Sequence, residues 1–112
     1  MKKVFSLLFG AFLLSSWMVV NLSAHPLIGQ KYYLKFMSPS TEMKGNKFAI
    51  IHTMAEWEEL FEGDGEKFAA EFTEKYPDLK EFFEGEIWPK VRNDIKDFCI
   101  EFAADSGKVP SC

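Results

Sequence analysis

The chain has 112 residues, 17 acidic against 13 basic side chains and a net charge of −4. That length supports one domain, and the acidic balance argues against nucleic acid or an anionic membrane surface as partner, since both need a basic face. The sequence shows no internal repeat, low-complexity tract or second domain.

The first 24 residues read as a secretory signal. Lys2 and Lys3 give a charged start, residues 4–20 form an almost unbroken apolar run, and Leu22-Ser23-Ala24 ends in the small residue a signal peptidase requires. Cleavage is expected between Ala24 and His25, leaving residues 25–112 as a single helical domain. A retained membrane anchor is the alternative, because the run lies at the short edge of what spans a bilayer. Gly10, Ser15, Ser16 and Asn21 dilute it, and no basic cluster follows to stop transfer. Loss of Lys2 and Lys3 leaves 11 basic against 17 acidic residues, a net charge near −6. The mature chain is thus expected to be exported to the periplasm or the medium, with no membrane span.

After Pro26 the segment 27–37 suits either a strand or a helix, and the spacing favours helix. Ser38-Pro39-Ser40 is expected to break the chain and Lys44-Gly45-Asn46 to turn it, with residues 47–51 forming a short helical lead-in. Thr53 followed three residues later by Glu56 forms a capping box, which starts a helix over 54–62 whose apolar face is Trp57, Leu60 and Phe61. Gly63-Asp64-Gly65 ends it. Phe68, Phe72 and Tyr76 then mark a second amphipathic helix that Pro77 stops, and Pro77 suits the first position of the short helix carrying Leu79, Phe82 and Phe83. The last helix starts near Pro89, carries Val91, Ile95, Phe98 and Phe102 on one stripe, and is expected to run to Asp105 or Ser106 before Gly107. These elements predict an all-α fold, a compact bundle of four or five short helices.

Aromatic residues make up 16% of the sequence. Short helices that must fill a small core with large side chains account for this, and a pocket for a flat ligand such as haem is the competing reading. A domain of this size buries little surface, so a staple matters. Cys99 and Cys112 are expected to supply one as a disulfide, worth about 3 kcal/mol for a loop of that length in the chain-entropy account. Their spacing is far from Cys-x-x-Cys, which argues against a redox-active pair.

Few residues carry chemistry. Cleavage after Ala24 gives His25 a free amine beside its imidazole, and His52 adds a second ring nitrogen, a donor set that suits copper. His52 directly precedes the capping threonine, where a packing role competes with ligation. Met37, Met43 and Met54 flank His52 in sequence and offer thioethers to copper(I) or haem iron, although methionine more often fills gaps in a core. The glutamates at 56, 58, 59 and 62 spread around a solvated helix, and Gly63-Asp64-Gly65 lacks the spacing of a calcium loop. No nucleophile arrangement and no phosphate-cradling loop is present, so no catalytic residue is assigned and an enzyme is not expected.

The stretch His52-Thr53-Met54-Ala55-Glu56-Trp57-Glu58-Glu59-Leu60-Phe61, the following Gly65-Glu66-Lys67-Phe68 and the ending Ala104-Asp105-Ser106-Gly107-Lys108-Val109-Pro110-Ser111-Cys112 resemble small periplasmic proteins of bacteria grouped loosely with c-type cytochromes. The resemblance rests on these three stretches. It implies a helical fold and a role near periplasmic electron transfer. The chain departs from cytochromes c in having no Cys-x-x-Cys-His, so no covalent haem c is expected, while non-covalent haem or copper stays open. Together these readings point to an exported, non-enzymatic accessory or binding protein that takes a periplasmic protein or a small ligand. A copper protein using His25 with His52, and a small envelope interaction or inhibitor protein whose acidic surface pairs with a basic partner, are the alternatives.

Overall fold

The structure is a computed structural model that describes residues 25–110. Residues 1–24, residues 111 and 112 and the side chain of His25 lie outside the described residues. With them go the signal-cleavage expectation and one half of the expected Cys99–Cys112 bridge.

All regular structure among the described residues is helical. The order is α1 (His25–Phe36), α2 (Ser38–Thr41), α3 (Gly45–Phe48), a 3-10 turn at Ala49–Ile51, α4 (Met54–Leu60), α5 (Glu66–Lys75), a 3-10 turn at Pro77–Leu79, α6 (Lys80–Glu84) and α7 (Trp88–Glu101). The all-α expectation holds, in more pieces than the four or five expected. α2 and α3 have only 4 residues each and α6 has 5, too few to show a hydrophobic period. Helices this short are held by what they pack against rather than by their own propensity.

α7 is the spine. Its stripe of Val91, Ile95, Phe98 and Cys99 is buried, together with Trp88 at its start. α1 lies directly on it. A Cβ added at Gly29 would stand 1.8 Å from the Asp94 carbonyl oxygen and 2.8 Å from the Phe98 Cβ, so the two backbones touch where only hydrogen fits.

Around this pair the aromatic residues pack on one another. Phe48 from α3 lies 4.3 Å from the Tyr33 ring of α1, 5.5 Å from Trp57 of α4 and 5.0 Å from Phe72 of α5, centroid to centroid. Farther along, Phe68 stacks on Trp88 at 5.5 Å with the rings 9° from parallel. Tyr33, Phe48, Trp57, Phe68, Phe72 and Phe98 are all fully buried. Trp57 meets its one polar requirement by donating its Nε1–H to the Ala49 carbonyl at 2.8 Å.

Four boundaries differ from expectation. Ser38-Pro39-Ser40 forms a helical turn rather than a break, because Pro39 falls in the first turn where its missing N–H is not needed. Its geometry is fixed by a polar knot. The Tyr33 hydroxyl donates to the Met43 carbonyl at 2.8 Å, which leaves Thr41 Oγ1 as the donor across the 2.7 Å Tyr33–Thr41 contact. Gly45 opens α3 instead of sitting in a turn; it is buried, with Gln30 and Phe98 side-chain atoms within 3.2 Å of where a Cβ would be. Finally, α7 ends at Glu101 rather than at Asp105 or Ser106, and α4 ends at Leu60 rather than Glu62. The backbone leaves α7 because its next groups are used elsewhere: the Ala104 amide donates to the His52 carbonyl at 3.0 Å, and Asp105 Oδ1 accepts the Met54 amide at 2.8 Å. A carboxylate at the start of α4 satisfies an orphan donor and suits the helix dipole.

Candidate functional site

Among the described residues, two places on the surface combine polar groups with shape. The first surrounds His52, just ahead of α4. The expected capping box is present, with the Glu56 amide donating to Thr53 Oγ1 at 3.2 Å and the Thr53 amide to Glu56 Oε1 at 2.9 Å. The same Glu56 oxygen lies 3.3 Å from His52 Nδ1, while His52 Nε2 lies 2.8 Å from Glu71 Oε2 on α5. The Thr53 amide, followed by His52, holds the Glu56 carboxyl below its ordinary 4.5. The imidazole edge rests on Trp57 at 4.8 Å, with the planes 89° apart.

This arrangement is structural in character. The two carboxylates engage opposite ring nitrogens, so they share no point at which one cation could be bound by both and by the ring. Among the described residues, no group of three His, Cys, Asp or Glu side chains converges as a metal site. A copper site built on His25 and His52 would have to release one of the two carboxylate contacts of His52, and the His25 side chain lies outside the described residues.

The second place is a groove between α5 and α6, about 480 Å³ in volume. Residues 66, 69, 70, 73 and 74 recur at helical spacing, so one face of α5 forms its first wall. Lys80, Phe83 and Glu84 of α6 form the other. The floor is apolar. Ala69 and Ala70 open the space that larger residues would fill, and the half-buried Phe83 ring is fixed edge-on to Phe68 at 5.8 Å and Trp88 at 4.9 Å. The rim carries Glu66, Glu74 and Glu84 against the single cation Lys80. Among the described residues none of these three carboxylates takes part in an ion pair with Lys, Arg or His. The volume falls within the range of about 300–1,000 Å³ usual for ligand clefts.

The other expected site residues do not gather here. Met37 is fully buried in the core and Met54 is exposed, so the methionines flanking His52 in sequence are not a ligand set. Met37 has become a gap filler. The groove is lined by no histidine, methionine or cysteine, the usual axial ligands of a haem iron. Cys99 is fully buried on the core side of α7 and unbridged to any described residue, and burial pushes its thiol well above the usual range. Cys112 lies outside the described residues. The groove itself was not anticipated, although Ala69 and Ala70 beside the Phe68–Phe72 stripe were a visible signal of a shallow place on α5.

None of the described helices is long and apolar enough to cross a membrane. No protein family, curated protein or solved structure matches the chain.

Proposed function

We propose that the chain is an exported, non-enzymatic binding protein that receives a basic, apolar-anchored segment of a protein partner in the groove between α5 and α6. The observation that supports this is the pairing of an apolar floor at Ala69, Ala70 and Phe83 with an acidic rim free of internal ion pairs. Apolar contact supplies affinity in such a site, and the rim supplies specificity and rate of encounter. Export rests on the leader, and a place beside periplasmic electron transfer rests on the sequence resemblance alone. Of the readings weighed from sequence, the groove favours the interaction protein with an acidic face.

Binding of fluorescent peptides tests it. A peptide interspersing Lys with Leu is expected to bind at micromolar concentration, and its affinity should fall as salt is raised. Glu74→Lys with Glu84→Lys is expected to weaken it by about tenfold or more. An acidic peptide of the same apolar content binding equally well would remove the reading. A mass measurement on the exported, unreduced protein reports the Ala24–His25 cut and the Cys99–Cys112 bridge together.

A further inference from the structure

The feature left unexplained is the outer face of α1. Leu27 is 58% exposed, Leu34 40% and Ile28 38%, and Lys31 and Lys35 are exposed between them. At 100° per residue these five positions fall within an arc of about 120°. The opposite side of the helix is equally apolar, but Tyr33 and Met37 there are spent on the core. α1 thus shows large apolar side chains to solvent while its packing is already complete.

The charge of this helix also sets it apart. The first acidic residue of the sequence is Glu42, so α1 carries lysines and no carboxylate in a chain that is otherwise acidic. Lys31 has no partner among the ion pairs of the described residues, and Lys35 rests its Nζ 5.4 Å from the Phe36 ring, which leaves its charge unneutralised. A basic face interrupted by leucines is the pattern that the α5–α6 groove fits.

We infer that the occupant of the α5–α6 groove is α1 of a second copy of this chain. The inference rests on the groove reading given above and names its partner. Leu27 and Leu34 would seat over Ala69, Ala70 and Phe83, with Lys31 and Lys35 against the Glu74 and Glu84 rim. The lengths agree: from Leu27 to Lys35 and from Glu66 to Glu74 there are eight residue steps, about 12 Å each. α1 enters as a rigid element, because the Gly29 contact fixes it on α7. One such contact is small. If each copy gives its α1 to the other's groove, a two-fold dimer doubles the contact.

Light scattering of the exported protein after size exclusion, over a range of concentration, tests this. A dimer that dissociates as salt is raised to about 0.5 M is expected. Lys31→Glu with Lys35→Glu gives an acidic helix facing an acidic groove, and Glu74→Lys with Glu84→Lys gives the reverse; each is expected to be monomeric. Mixed together they are expected to form a heterodimer, since both contacts become attractive again. All four positions are exposed, and unchanged helical circular dichroism confirms that the variants fold. A wild-type monomer at all concentrations overturns the inference, as does a dimer insensitive to both reversals or α1-dependent association with anionic vesicles in place of self-association. A monomer that still binds the Lys/Leu peptide overturns only the self-association; a protein that does neither removes the groove reading as well.

Discussion

At the scale of single residues, Tyr33 and Glu56 carry stability in opposite directions of pH. Removing the Tyr33 hydroxyl strands the Thr41 donor, though Met43 keeps a second bond from Ser38 Oγ at 3.0 Å. Tyr33→Phe is expected to cost about 1–3 kcal/mol in urea denaturation. Burial, only partly offset by the bond from Thr41, pushes the phenol from 10.0 up to about 12. The folded state therefore favours the neutral phenol, and its contribution is full below pH 10 and lost as pH rises towards 12. That alkaline decline should be absent in the phenylalanine variant. Glu56 behaves the other way. Its carboxyl is held below 4.5, so its contribution is present above that pH and disappears as pH falls through the folded value. Glu56→Gln removes the charge, so it is expected to lower stability at pH 7 and to flatten the acid limb, with the two proteins converging as pH falls through the folded value. An unaltered acid limb in that variant would show that the capping carboxylate does not govern it.

At the scale of elements, the α1–α7 crossing is the most demanding contact. Gly29→Ala gains roughly 1 kcal/mol of helix propensity, yet its methyl meets backbone and cannot be relieved by a rotamer change. The helices must separate, and a net loss of about 1–3 kcal/mol is expected in thermal or urea melts. A neutral or stabilising result would mean that the crossing is looser than the 1.8 Å approach implies. Nothing in the sequence around Gly29 announced this, because a glycine inside an apolar helix has no local signature of what lies across from it. α5 and α7, by contrast, were legible: Phe68 and Phe72, and Val91, Ile95 and Phe98, repeat at helical spacing, and the capping box before α4 is a local pattern. The end of α7 was not legible. Gly107 does adopt a left-handed φ of 77°, but the helix had already stopped where Ala104 and Asp105 bond to distant backbone. Long-range hydrogen bonds decide that boundary, and short-range propensity cannot register them.

At the scale of the whole molecule, the charge is divided rather than uniform. A net charge read from composition treats the chain as acidic throughout, whereas α1 is a basic and apolar strip on an acidic body. This division governs the salt dependence expected of both peptide binding and self-association. The candidate residues named from sequence fared unevenly for a physical reason. His52, Met37 and Met54 are neighbours along the chain, but the fold sends them to a carboxylate clamp, the core and the surface respectively. The groove, on the other hand, is assembled from α5 and α6 across the Pro77–Leu79 turn, and no single segment contains it.

The bond from Met54 to Asp105 joins residues 51 apart, and α1 completes its packing only against α7. Both facts place the closing steps of assembly at the far end of the chain. A growing polypeptide that has reached only residue 87 holds Tyr33, Phe48 and Phe68 without the helix that covers them. Such a topology delays collapse into the native state until synthesis is nearly finished, since non-local pairings bear the loop-closure cost first. On the reading that residues 1–24 direct export, late folding keeps the chain threadable for as long as passage through a translocation channel requires.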